Sequence, residues 1–594
     1  MLRKKQKVWG QWAFRFFALA LLMGWQTALA QSTISGTVTD ADGSPLPGAN
    51  VLVKGTTNGT QTDFDGNYTI EAGSDATLVF SYIGFATQEV AVDGQSSVNV
   101  SLSEDASKLD EVVVLGYAQQ TRGDVTGSVA SVDIEDAVKT PVVNAAEVLQ
   151  GRVTGVQVVT NGNPGQAPKI NIRGFGTTNN TNPLYIIDGV QTDDPNVLNS
   201  INPADIDQMN VLKDGAAAIY GARASNGVII ITTKSGGYNM DKAVVSLDIY
   251  SGFSSISNNP DMLNAEQHAN MILQSKLNDG LAGGDLAHGQ YDPSGTGTYT
   301  VPSSIVGYRR VVSYNPIVFS NPGDFNATVT PGGTDWIDAI SRSAPVSNIA
   351  LSVANGTETG KYYLSVGYLN RDGVLNYTGF ERANTKINSE FKVGKRLRIG
   401  QHLNVSFSNT RAGVDEAIEG ALRITPLLPV TDDDGNFTGV AGPDLSNTRN
   451  PAAQLYRTRN DYNKRLRLLG DVYLAYDILD GLTFKTVLAG GFNTFDNRAF
   501  TSLDPEHGEP ISSSTLREQD QTRTNWNWSN TLNYNKTIGV HSINALVGIE
   551  ALEENDKGKG ISRQGYLFED PNFYLLNNGS GAPNVDYAYD ASNT

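Results

Sequence analysis

Three regimes of hydrophobic patterning succeed one another along the chain. From Ser32 to Glu104, short runs of β-branched and aromatic residues alternate with polar ones: TISGTVTD, ADGSPLPGANVLVKGT, TDFDGNYTIEA, ATLVFSYIGFATQEVAV and SSVNVSL. Period-two alternation cut by Asp-Gly, Asn-Gly and Pro-Gly pairs predicts a small antiparallel β-sandwich over residues 31–104. The spacing then changes over residues 123–237. NAAEVLQGRV (Asn144 to Val153) carries apolar residues at helical intervals, and Asn202-Pro203 is a helix-start signal. MNVLKD reads as a strand, GAAAIYGARA as a short helix and GVIIITTK as a buried strand. Together they predict a compact α/β domain.

From residue 238 the pattern becomes a series of long two-faced strands. RLRIGQHLNVSFSN sets Leu397, Ile399, Leu403, Val405 and Phe407 on one face against Arg398, His402, Asn404, Ser406 and Ser408 on the other. In LRLLGDVYLAYDILDGLTF, Leu466, Leu468, Val472, Leu474, Tyr476 and Ile478 oppose Arg467, Asp471, Tyr473 and Asp477, with an Asp480-Gly481 turn before the return strand. NWNWSNTLNYN alternates Trp526, Trp528, Leu532 and Tyr534 with Asn525, Asn527, Ser529, Thr531 and Asn533. Alternation alone leaves open which face is inside. Length separates the alternatives: these runs reach about 10 to 13 residues, whereas soluble strands have a mode of about 5 to 6. A tilted membrane strand needs about 9 to 11. Long polar connections alternating with short turns point the same way, to a membrane β-barrel.

Composition narrows the function. A net charge of −18 leaves no basic surface to neutralise phosphates, so nucleic acid is not an expected partner. The chain has no cysteine, which removes disulfides and thiolate chemistry. Residues 1–30 combine a basic start, the apolar FFALALLMGW and the small-residue exit Ala28-Leu29-Ala30, the layout of a secretory signal peptide. The five histidines, His268, His288, His402, His507 and His541, are too scattered for a local metal pair. TDADG, TDFDG and TDDDGNFTG each lack the first calcium ligand and read as turns, and RGFGTT lacks the third glycine of a dinucleotide loop. No catalytic constellation and no cofactor is implied, so the chain does not read as an enzyme.

Between the first two regimes, residues 105–122 form a polar linker holding one apolar run, DEVVVLGY. Val112, Val113 and Val114 demand a sheet, yet no turn signal nearby returns the chain to a partner strand. They read either as the sandwich's last strand or as a strand that awaits another protein.

These segments, in this order, resemble the SusC/RagA-type TonB-dependent outer-membrane transporters of Bacteroidetes. LDEVVVLGYAQQTRGDVTGSVASVD is similar to that family's TonB box and plug entry. AAEVLQGRVTGVQVV, INIRGFGTTNNTNPLYIIDGV and INPADIDQMNVLKDGAAAIYGARASNGVIIITTKSG are similar to its plug motifs. Residues 31–104 resemble the carboxypeptidase-regulatory-like sandwich, a fold relation without peptidase activity. The resemblance implies a mainly β protein: sandwich, α/β plug over 123–237, and a transmembrane barrel of about 22 strands when complete. Residues 238–594 look too few for that barrel, so the chain is expected to be its N-terminal part. The TonB box falls on Asp110, Glu111, Val112, Val113, Val114, Leu115, Gly116 and Tyr117. The plug motif falls on Arg173, Gly174, Asp188, Gly189, Lys213, Asp214, Tyr220, Gly221, Arg223, Asn226 and Gly227. Arg173, Lys213, Asp214 and Arg223 are expected to pair with the barrel wall. Implied partners are TonB with ExbB and ExbD, a SusD-like surface lipoprotein, outer-membrane lipid, and an oligosaccharide or else a peptide as imported nutrient. A barrel-anchored adhesin or signalling receptor, and a secreted glycan-binding protein, are the rival functions.

Overall fold

The computed structural model describes residues 31–265 and 333–593. Omitted are positions 104–111, 116, 117, 122–126 and 440–447, and short gaps of one to three positions elsewhere; residues 266–332 are described only in part. The signal peptide therefore lies outside the described residues. The chain divides into two compact units, residues 1–113 with 119–125, and residues 114–118 with 126–594.

In the first unit, β1 (Gln31–Thr39), β4 (Asn67–Gly73) and β7 (Val100–Ser101) make one sheet. β2 (Asn50–Val53), β3 (Gly59–Gln61), β5 (Thr77–Ser81) and β6 (Gln88–Ala91) make the other. Strict alternation drives this: β4 buries every second residue, and Ile34, Val38, Val51, Ile70, Leu78 and Phe80 close a shared core. The antiparallel expectation holds except at β1–β7, which is parallel. TDFDG is a turn: the Asp63 carboxylate accepts the N–H groups of Asp65 and Asn67. After the sandwich, β8 (Val112–Leu115) pairs with β9 (Ala118–Thr121) in a two-stranded sheet. The valine run thus has a partner in its own chain, against the sequence expectation, although no Asn-Gly or Asp-Gly marks the connection.

The plug holds a five-stranded mixed sheet ordered β10–β15–β16–β13–β14, from Val129–Val132, Ile206–Leu212, Val228–Thr233, Leu184–Ile187 and Val190–Thr192. β11 (Val156–Val159) and β12 (Lys169–Ile172) form a separate hairpin. Its helical part is thinner than the spacing predicts. Within NAAEVLQGRV only Glu147–Leu149 closes, as one 3-10 turn. Asn144 Oδ1 caps the N–H groups of Ala146 and Glu147, and Gly151 at φ 72° stops the turn. GAAAIYGARA is likewise broken, at Gly221.

Ten strands then meander through one antiparallel sheet. They are β17 (Val244–Ser254), β20 (Ala344–Gly356), β21 (Gly360–Asp372), β22 (Gly379–Val393), β23 (Leu397–Arg411), β24 (Tyr462–Leu479), β25 (Leu482–Thr501), β26 (Thr515–Ile538), β27 (His541–Gln564) and β28 (Asn584–Asn593). A small pairing of β18 (Ser304–Val306) with β19 (Asn326–Thr328) lies in the connection before β20. At one end the connections are short, as at residues 394–396 and 480–481; at the other they are mostly long. Helices α1 (Trp336–Ile340), α2 (Ala417–Arg423) and α3 (Pro451–Arg457) fold those long connections around their own apolar core. The sheet is inside-out relative to a soluble sandwich. Val472 and Leu488 are 59% and 57% exposed, while Asn404 and Arg382 are 3% and 1% exposed. An apolar outer face and a polar face turned to the plug is the arrangement lipid demands.

Candidate functional site

The site is the interface at which the wall grips the plug, and its wall residues come from the polar stripe of each strand. On β22 every second residue points inward: Arg382, Asn384, Lys386 and Asn388 are all buried. Arg382 donates from Nη1 to the carbonyls of Val143, Asn199 and Ile201 at 3.0–3.2 Å, tying together two plug loops distant in sequence. Asn388 Nδ2 donates to Thr233 Oγ1 at 2.8 Å and to the Lys234 carbonyl at 2.7 Å. Asn404 on β23 reaches the Ser200 carbonyl, and Asn525 and Asn527 on β26 reach those of Gln191 and Gly189.

Charge is matched across the same surface. Asp188-Gly189 is a two-residue hairpin between β13 and β14, with φ of 46° and 91°. That geometry is a primed turn, which an Asp-Gly pair accommodates. It aims the Asp188 carboxylate at the wall, where the Lys386 ammonium meets it; both side chains are at most 5% exposed. The Thr233 N–H and hydroxyl also donate to it, at 2.9 and 2.8 Å. Burial by itself raises the Asp188 carboxyl, but Lys386 and the hydrogen bonds outweigh it and hold it below the ordinary carboxylate range. Asp194 pairs with Arg467 of β24. Asp205 accepts from Tyr363 Oη at 2.9 Å and Asn384 Nδ2 at 3.4 Å. Burial outweighs these hydrogen bonds and the charges of Lys386 and Arg382, and raises its carboxyl.

Of the sequence-predicted plug residues, Asp188 and Gly189 belong directly to this interface. Arg173, at φ 56° beside Gly174, bridges to Asp214 at 2.6 Å and donates to Ser128, all within the plug. Lys213 is buried and donates to the Thr154 carbonyl at 2.5 Å. Arg223 donates to Gln191 at 3.3 Å. The expected pairing with the wall is therefore corrected for Arg173, Lys213 and Asp214, which fasten the plug to itself; Arg223 lies within electrostatic reach of Glu554 on β27, and Lys386, Arg467 and Arg382 make the direct grip. Tyr220 packs on the plug's second apolar cluster, and Gly221 makes the kink. Asn226 Nδ2 holds the carbonyls of Asn180 and Asn182. Gly227, at φ 88°, lies where a Cβ would stand 2.7 Å from Ile172 Cδ1. The sequence carried a signal for the missed wall residues in ERANTKINSE, a strand whose every inward position is polar or charged. Of the TonB-box residues, Asp110, Glu111, Gly116 and Tyr117 lie outside the described residues, while Val112–Leu115 form β8.

No helix among the described residues is long and apolar enough to cross a membrane. Residues 34–114 match the CarboxypepD_reg-like domain, a match that includes Val112 to Val114. Residues 121–228 match the TonB-dependent Receptor Plug Domain. The chain is 34% identical over 531 residues to TonB-dependent receptor P26 of Formosa agariphila, covering 88% of this chain and 49% of the relative. It is 31% identical over 558 residues to TonB-dependent receptor SusC of Bacteroides thetaiotaomicron, covering 88% and 50%. The RagAB peptide importer in its open-open state matches in fold, with TM-score 0.63 and 24% identity over 81% of this chain and 53% of that one. The chain spans about half the length of these relatives.

Proposed function

We propose that this chain, which belongs to the SusC-like TonB-dependent receptors, works in the outer membrane as the plugged part of an energised nutrient importer. The observation that carries the reading is the chemistry of the plug–wall interface. The plug has its own apolar core, to which, among the described residues, the wall adds Leu469, Ala489 and, partly buried, Val487, and the Phe380 ring lies against Gly165. The contacts described above are otherwise ion pairs and hydrogen bonds, which water can replace when the surfaces part. An apolar interface of similar extent would bury the plug permanently.

Force must come from the inner membrane, because the outer membrane holds no nucleotide and no ion gradient of its own. TonB, driven by ExbB and ExbD, supplies it by pairing a strand with the segment around Val112 to Val114, on the periplasmic side. Among the described residues β8 pairs with β9 alone, so its other edge is the place where strand addition would occur. A row of main-chain hydrogen bonds loaded along the strand resists pulling better than scattered side-chain contacts. A SusD-like surface lipoprotein is the expected partner at the long-connection end. An oligosaccharide is the first nutrient class, since inward Asn, Asp, Tyr and Trp residues suit hydroxyls and ring faces; a peptide is the alternative.

Replacing Val112, Val113 and Val114 by proline removes three donors and fixes φ. Uptake in cells carrying the whole receptor should stop while outer-membrane insertion and surface binding persist. Continued energised uptake would mean that these valines are not the TonB contact and serve only as a linker.

A further inference from the structure

On the long-connection side of the plug, the wall strands β22, β23 and β24 and the plug loops enclose a polar cleft of ≈ 340 Å³ counted with its open mouth. Two arginines at alternate positions of β24, Arg465 and Arg467, line it together with Ser408, Thr410, Asn196 and Phe380. Their hydrogen-bonding state is unusual for a buried surface. Arg467 spends one end of its guanidinium on Asp194, but its Nη1 is buried without a partner, in a residue 5% exposed. Among the described residues Arg465 has neither a direct ion pair nor a side-chain hydrogen bond; its guanidinium lies over the Phe495 ring, 4.5 Å from the centroid, and it shares the field of Asp194 with Arg467. A contact through the guanidinium face uses none of the five N–H donors. The Ser408 and Thr410 hydroxyls line the same space, and among the described residues neither makes a side-chain hydrogen bond.

The neighbouring cation shows the contrast. Arg523, also on the inner face, is tied to Asp556 at 3.0 Å and Glu554 at 3.2 Å. Arg523 has two carboxylates in direct contact, whereas Arg465 and Arg467 share the field of Asp194 and only Arg467 touches it, in a chain of net charge −18. Buried donors left without acceptors cost free energy, so such a set persists where an acceptor arrives from outside. A guanidinium fork flanked by hydroxyls fits an oxyanion bearing two or three equivalent oxygens.

We infer that this cleft is an oxyanion subsite, which takes a carboxylate group of the incoming nutrient through Arg465, Arg467 Nη1, Ser408 and Thr410. The inference rests on the import reading and adds to it a charge class: the nutrient is anionic. Thr410 is the penultimate residue of β23, next to the connection that carries α2 and α3. The subsite therefore meets a ligand that enters from the long-connection side before the plug has moved.

The test is isothermal titration calorimetry on the detergent-solubilised whole chain with four probes. These are a tetragalacturonate, the neutral tetragalactose, a pentapeptide with a free C-terminal carboxylate, and its C-terminal amide. The anionic member of at least one pair should bind about 10- to 100-fold tighter, the worth of a charge-assisted contact. Which pair shows the preference separates a sugar acid from a peptide terminus. Arg465→Gln should erase the preference, and Arg465→Lys should keep part of it. Equal binding within both pairs, including no binding to either, overturns the subsite, as does a preference that survives Arg465→Gln. Energised uptake is not involved in this measurement, so the subsite can fail while the import reading stands.

Discussion

Lys386 offers the sharpest test of the grip on the plug. Substituting Lys386→Met keeps the aliphatic stem and deletes the ammonium, leaving the Asp188 carboxylate in a site where both side chains are at most 5% exposed. Removing one partner of a buried pair costs about 3–5 kcal/mol, chiefly as the penalty of the stranded charge. Asp188 keeps its two Thr233 donors at 2.9 and 2.8 Å, so the loss belongs at the lower end, about 3 kcal/mol. That corresponds to roughly a 100-fold rise in the opening equilibrium of the hairpin. Hydrogen exchange by mass spectrometry on the solubilised chain reads this directly, in the amides of Gly189, Val190 and Thr233. Adding Asp188→Asn removes the stranded charge, and the double variant should return to within about 1 kcal/mol of the parent. The linkage has a definite sign. Because the folded Asp188 carboxyl is lowered, its contribution is complete above the ordinary carboxylate value and is lost as pH falls through the folded value. Exchange at these amides should therefore show no loss of protection from this group between neutral pH and about pH 4. Unchanged exchange in Lys386→Met, or a double variant as open as the single one, would refute the claim that this pair seats the plug.

Two further predictions concern other parts of the structure. Asp461, just before β24, accepts the Phe500 N–H at 2.9 Å, and burial, opposed by that bond and by Arg498, pushes its carboxyl up to about 7. The folded state then holds a proton that the unfolded chain has released, so stability falls as pH rises between the ordinary value and about 7. Asp461→Asn should raise the thermal midpoint at mildly alkaline pH and leave it unchanged near pH 4; an equal shift at both would show that ionisation is not the cause. In the plug, Gly227→Ala puts a Cβ 2.7 Å from Ile172 Cδ1 at φ 88°. It should cost about 1–2 kcal/mol from the left-handed backbone alone, seen as faster proteolysis confined to the plug. Wild-type resistance would mean that the backbone relaxes there.

The extent of sequence legibility differs from element to element. The sandwich strands, the Asp188-Gly189 turn and the two-faced alternation of β22 to β26 are local properties, set by period-two patterning and by residues that tolerate positive φ. The helices of the plug were less legible. Asn144 captures backbone N–H groups and Gly151 and Gly221 leave helical geometry, so correct apolar spacing closes only short turns. The partner of Val112 to Val114 was missed because the β8–β9 connection carries no Asn-Gly or Asp-Gly pair. Arg173, Lys213, Asp214 and Arg223 were correctly seen as charges needing partners, but a linear pattern does not say whose.

What the sequence determined by itself is that each long strand has one apolar and one polar face. Which face turns inward was decided by the tertiary structure, because an alternation of period two is unchanged when its faces are exchanged. The presence of a polar plug on one side and the absence of water on the other settle it. The same holds for the pairs that grip the plug. Asp188 and Lys386 lie 198 positions apart, and no local rule links them; they meet because β22 passes the tip of a hairpin that its own sequence does not encode.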